Sequence, residues 1–182
     1  MRSRSVRGLT GAAEVGAAER GAGTDRLVRV RLIEDRPRHR TPEVQQELDV
    51  AIYDLVERNH FKPLPRPGEA VPPGPYVLGV GMAERMLVLE IGTEDAEPVC
   101  EFHLSLSPLR GIIKDYFAIC ESYFDAVRRL PPSRIEAIDM GRRGIHDEGA
   151  EILIGRLAGK VETDQETARR LFTVICALQF QG

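Results

Sequence analysis

The residues of this chain best able to do chemistry crowd into one stretch, Asp139-Met-Gly-Arg-Arg-Gly-Ile-His146-Asp-Glu-Gly-Ala150. Arg142 and Arg143 are planar, permanently charged forks suited to a phosphate or carboxylate. His146 has an imidazole that can give or take a proton near neutrality. Asp139 and Glu148 are candidate acids or bases, or could orient the imidazole. On a helix of about 3.6 residues per turn, Asp139, Arg142 and His146 fall within or at the edge of the arc marked by Ile135, Ile138, Ile145, Ile152, Leu153 and Leu157. Charged groups enter an apolar face only when they are paired, so something must neutralise this cluster.

Three readings follow. In the first the cluster is an ion-pair network: Asp139 reaches Arg142 and Arg143, Arg143 reaches Asp147, and His146 completes it with a hydrogen bond. In the second it is a site for a small anionic ligand, with Arg142 and Arg143 as anion binders and His146, Asp139 and Glu148 as candidate catalytic residues. In the third the face binds a protein partner. Gly141, Gly144 and Gly149 sharpen the question, because each glycine costs about 1 kcal/mol inside a helix. Either the chain loops there or another element packs unusually close. Lys114 and the pair Arg169-Arg170 would join the ligand-binding set if their helices lie beside this one; otherwise they are solvated charges.

Other chemistries are not signalled. His146, Asp147 and Glu148 are consecutive and diverge on a helix, and the remaining histidines stand apart, so no metal site is expected. His103, on a strand, is expected to face solvent. There is no Walker loop and no GxGxxG, so no cofactor is expected, and no serine or cysteine has a base at recognisable spacing. The three cysteines, Cys100, Cys120 and Cys176, lack a CxxC pair. Cys120 and Cys176 sit on apolar helical faces as small hydrophobes, which suits a reducing cytoplasm.

The elements that must position the cluster can be read in order. Val28, Val30 and Leu32 alternate with Arg29, Arg31 and Ile33 in a half-buried strand pattern. Thr41-Pro42 opens a helix with Val44, Leu48, Ile52 and Leu55 on one face. The proline-rich run from Lys62 to Pro75 reads as an extended connector. Three short strands follow, at 76–82, 85–91 and 99–106, joined by turns at Ala83-Glu84 and at 93–98. Ser107-Pro108 opens a long amphipathic helix, Ser133 can cap a second, and Thr163 with Glu166 has capping-box spacing for the last. Strands followed by helices predict an α+β fold: a small antiparallel sheet (strand, helix, three-strand meander) covered by three C-terminal helices.

A length of 182 residues allows one domain with a substantial core. Residues 1–25 are Gly, Ala and Arg without apolar periodicity and are expected to be a disordered extension, leaving 26–182 as the domain. A net charge of -3 opposes general nucleic-acid binding, and no run of apolar residues is long enough to cross a membrane.

Three segments carry a resemblance: Ile113-Lys-Asp-Tyr-Phe-Ala-Ile-Cys-Glu-Ser-Tyr-Phe124, Ile135-Glu-Ala-Ile-Asp-Met-Gly-Arg-Arg-Gly-Ile-His-Asp-Glu-Gly149 and Thr167-Ala-Arg-Arg-Leu-Phe-Thr173. With Ala51-Ile-Tyr-Asp-Leu55, they resemble the bacterial uncharacterised protein family 0262 from about Arg26 to the C-terminus. The family pattern has Asn where this chain has Asp147, which argues against an essential charge there. The resemblance implies a small cytoplasmic bacterial protein and assigns no catalytic residue, cofactor or oligomeric state. The expected function is therefore non-enzymatic binding or regulation through the helical layer. The alternative is an enzyme acting on a phosphorylated or carboxylated small molecule.

Overall fold

The computed structural model describes residues 23–34 and 39–180. Its elements are β1 (Leu27–Ile33), α1 (Pro42–Glu57), β2 (Phe61–Pro63), β3 (Tyr76–Ala83), β4 (Met86–Thr93), β5 (Pro98–Ser105), a 3₁₀ turn (Ser107–Leu109), α2 (Arg110–Arg129), α3 (Pro132–Leu157), β6 (Val161–Thr163) and α4 (Gln165–Gln179). Most of the segment expected to be disordered lies outside the described residues. Its last residue is held in place: the Asp25 carbonyl accepts a hydrogen bond from the Phe61 N–H at 3.0 Å, and its carboxylate pairs with Lys62 at 3.3 Å.

The fold is α+β, with a four-stranded sheet in the order β1-β3-β4-β5 and a two-stranded sheet of β2 and β6. The meander β3-β4-β5 is antiparallel, as its short strands and tight turns predict. Glu84 and Arg85 form its first turn with φ of 47° and 70°. Positive φ at both loop residues matches the twist of a two-residue hairpin. One pairing departs from the expected all-antiparallel sheet: β1 lies parallel to β3, with Leu27 opposite Tyr76 and Ile33 opposite Gly81. A parallel neighbour requires a crossover, and α1 with its proline-rich sequel supplies one, so the sheet is mixed.

A second departure lies in the connector. Its start, Phe61–Pro63, pairs antiparallel with Val161–Thr163 and ties the end of α1 to the loop between α3 and α4. Three helix starts also shift. The expected capping box at Thr163 is replaced by Asp164, whose carboxylate accepts from the Thr167 N–H at 2.7 Å. Thr163 instead donates its hydroxyl to the His60 carbonyl at 2.9 Å. Ser107 opens the 3₁₀ turn, and α2 and α3 start without side-chain caps. Thr41 does cap α1, accepting from the Val44 N–H at 3.3 Å.

One sheet face carries the core. Leu78, Val80, Leu87, Leu89, Ile91, Phe102 and Leu104 are buried on it, at alternating positions along their strands. Helix α4 lies deepest: every residue from Leu171 to Leu178 is buried, as expected of a helix apolar around its circumference. It packs against α1 and α3, and α3 packs also against α2.

Helix α3 runs unbroken past all three glycines. At Gly149 the reason is close packing, since a Cβ there would come within 2.6 Å of ring carbons of Phe172 on α4. Its buried residues, Gly149, Ala150, Leu153 and Leu157, all lie in its C-terminal part. The polar cluster rides on the remainder, where no residue is fully buried.

Candidate functional site

Asp139 is the hub of the cluster. Its carboxylate meets Arg142 at 3.0 Å and Arg143 at 2.9 Å, and those two guanidiniums hold its pKa below the usual 3.8. Arg142 also faces Glu47 of α1 at 3.6 Å and lies over the Tyr123 ring of α2, 4.8 Å from its centroid. That guanidinium thus pins three helices together. Arg143 points outward, its side chain 69% exposed.

One turn further along α3, His146 turns towards α4. Its ring sits edge-on to Tyr116, with centroids 5.2 Å apart, and near Phe172 at 6.3 Å. The Thr173 hydroxyl donates to the Arg169 carbonyl at 3.3 Å, leaving its lone pairs free for His146 Nδ1 at 3.4 Å. In that arrangement Nδ1 carries the proton. Nε2 then presents a bare lone pair, buried and without a hydrogen-bond partner. Burial, with Arg142 and Arg169 nearby, pushes the imidazole pKa from 6.5 down to about 4. At neutral pH His146 is uncharged, able to accept a proton but not poised to donate one as an imidazolium.

Beside it opens a shallow cleft of about 210 Å³ lined by His146, Thr173, Arg169 and Arg170, and by the acids Glu47, Asp54 and Glu166. Its arginines are already engaged. Arg169 meets Asp147 and Glu166, each at 3.2 Å. Arg170 lies 3.9 Å from Glu166 and donates to the Arg58 carbonyl at 2.9 Å.

The helical layer therefore brings together Asp139, Arg142 and Arg143 in one network, and His146, Arg169 and Arg170 around one cleft. Two expected members stand apart. Lys114 lines a different depression with Arg85 and Arg110, and Glu148 is exposed and outside the cleft lining. Asp147 pairs with Arg169 rather than with the expected Arg143. Glu47, Asp54, Tyr123 and Thr173 were not signalled by α3 at all, because they arrive from other helices. The only trace of the first two is the spacing of Glu43, Glu47, Val50 and Asp54 along one stripe of α1.

Among the described residues no three His, Cys, Asp or Glu side chains could share a metal ion. His60 pairs with Glu162 at 3.0 Å, and the exposed His103 with Glu101. Cys120 and Cys176 are buried and unpaired with each other; burial raises Cys120 to about 11 and holds Cys176 well above its ordinary value. No helix among the described residues is long and apolar enough to cross a membrane.

Fold and cluster together define a small α+β protein with a charge-paired helical layer. The chain belongs to the uncharacterised protein family UPF0262, whose model matches residues 24–181. It is 59% identical over 140 residues to a UPF0262 protein of Dinoroseobacter shibae, covering 77% of this chain and 88% of that one. A Paracoccus denitrificans relative is 55% identical over 154 residues, 85% of this chain and 95% of its own. One from Cereibacter sphaeroides is 53% identical over 156 residues, 86% and 99% respectively. No solved structure matches the chain.

Proposed function

We propose that this chain is a non-enzymatic binding protein whose helical layer engages a protein partner, with the Asp139 network as architecture beneath that surface. The observation that carries this reading is a contrast. Asp139, Arg142, Arg143, Arg169 and Arg170 are each held by an opposite charge within the fold. On α1, Val50 and Tyr53 are 53% and 66% exposed, and Val50 lines the cleft that holds Arg169 and Arg170. An exposed tyrosine on the helix that borders a cleft holding two arginines suits the aromatic and arginine content that protein interfaces favour. Pairing also consumes the positive charge that nucleic acid would need. The buried thiols suit a reducing cytoplasm.

The test is copurification. Tagged wild type, Val50→Glu and Tyr53→Ala are expressed in a bacterium that encodes a relative, and captured after crosslinking. A stoichiometric partner recovered with wild type and lost from both variants, at unchanged melting temperature, is the expected result. Recovery of the chain alone, or of the same partner with both variants, overturns the reading.

One observation favours a second reading, an enzyme or receptor for a phosphorylated or carboxylated small molecule. The lone pair of His146 Nε2 is buried and unused next to a cleft that holds two arginines. In this reading the anion exchanges with Glu166 on Arg169 and Arg170, while His146 accepts a proton or hydrogen bond. Arg142 and Arg143 are committed to Asp139 and take no part in it. Inorganic phosphate should then raise the melting temperature of wild type but not of Arg170→Ala. The same response from both proteins, or from neither, removes this reading.

A further inference from the structure

A groove between the start of α1 and the middle of α2 belongs to neither the Asp139 network nor the His146 cleft. It encloses about 470 Å³ over a floor of Val44, Phe117, Cys120, Phe124 and Phe180. The Phe117 and Phe180 rings lie 5.7 Å apart along it. On α2, Phe117, Cys120, Phe124 and Val127 repeat at alternating steps of three and four residues. That is the seam with which one helix packs against another. The seam does not stop at the groove, since Val127, one turn beyond Phe124, is 52% exposed.

The rim has a sign. Glu43, Glu121 and Asp125 line the groove together with a single cation, Arg128. Arg128 is occupied by Glu43 at 3.0 Å, with side chains 63% and 35% exposed. An ion pair that open to water contributes little and exchanges readily. Glu121 and Asp125 have no ion-pair partner among the described residues.

We propose that this groove docks a basic amphipathic helix of a partner protein. Apolar residues at three- and four-residue spacing fill the phenylalanine floor and continue over Val127. Lysines or arginines flanking that stripe meet Glu121 and Asp125 and take over Glu43 from Arg128. This is the helix-in-groove mode of recognition, with rim charges selecting the sign of the guest and steering its approach. The surface is separate from Val50 and Tyr53, so it stands or falls independently of the reading above.

The probe is a fluorescent synthetic helical peptide with leucines at the seam spacing and lysines elsewhere. Its control has the same leucines with glutamates in place of the lysines. Both are titrated with the full chain and followed by anisotropy. The expected result is saturable binding of the lysine peptide that weakens with added salt, and at least about tenfold weaker binding of the glutamate peptide. Glu121→Gln with Asp125→Asn, which leave the shape intact, and Val127→Asp, at an exposed position, should each weaken the lysine peptide by a similar factor. Val50→Glu should bind it as wild type does. Equal binding of both peptides, an affinity unmoved by Glu121→Gln with Asp125→Asn, or no saturable binding overturns the proposal. So does a dimer in sedimentation that Val127→Asp abolishes, which would make the occupant a second copy of this chain.

Discussion

Between neutrality and pH 5, acidification should destabilise this protein through His146. In the unfolded chain its imidazole has an ordinary pKa of 6.5; in the fold, burial and the cations Arg142 and Arg169 push it to about 4, against the weaker pull of Asp147 and Asp139. The folded pKa is the lower one. The unfolded state therefore binds the extra proton first, and stability is fully present above pH 6.5 and lost as the pH falls towards 4. Each pH unit inside that window costs up to about 1.4 kcal/mol. From neutrality to pH 5 the loss approaches about 2 kcal/mol, which for a chain of this size is roughly 4–8 °C in melting temperature. Asp139, whose pKa is depressed below 3.8, gives up its stabilisation only at lower pH and leaves the window clear. The assay is urea unfolding at several pH values for wild type and His146→Phe. The phenyl ring keeps an aromatic edge against Tyr116 and Phe172 while removing Nε2, the unpartnered nitrogen that would take up the proton. The variant should show a nearly flat profile from pH 7 to 5 and match or exceed wild type at pH 5. Parallel profiles for the two proteins would refute the account of His146 as a buried neutral base.

Other expectations follow from the same contacts. Gly149→Ala drives a methyl into the Phe172 ring, which lies 2.6 Å from the Cβ position; it should lower stability by about 1–3 kcal/mol. Gly144→Ala meets open space and should gain up to about 1 kcal/mol, so denaturant midpoints of the two variants should move in opposite directions. Asp164→Ala removes the cap of α4 and should cost about 1 kcal/mol by the same measurement. Burial raises the pKa of all three thiols, so a thiol reagent at neutral pH should label the partly exposed Cys100 slowly and reach the buried Cys120 and Cys176 only after urea is added; fast labelling of all three in the folded protein would contradict their burial.

Much of the fold was legible because the local signals agree with one another. The strand read at 99–106 is β5, and its alternate residues Phe102 and Leu104 are both buried. The site was only partly legible. Contacts within α3, such as Asp139 to Arg142 and Arg143, follow from helical spacing, which is a local property. Glu47 and Tyr123 meet the same arginine from α1 and α2, and no spacing along the chain announces a contact between helices. The glycines of α3 left two outcomes open, a loop or an unusually close neighbour; packing onto α4 decided for the second, with the helix continuous and Gly149 serving the close approach.

The sequence by itself determined the class of the fold and the hairpin meander, and it put Asp139 within helical reach of Arg142 and Arg143. Periodicity, turn chemistry and neighbouring side chains encode these, and they act over a few residues. Only the tertiary structure decided that β1 runs parallel to β3, that Phe61–Pro63 and Val161–Thr163 form a second small sheet, and that Lys114 faces away from the cluster while Arg169 and Arg170 flank His146. The charge of His146 belongs to that second group. An imidazole carries no fixed protonation state in its sequence; the state is set by how much water is excluded and which charges surround it, and here those come from helices packed together in space.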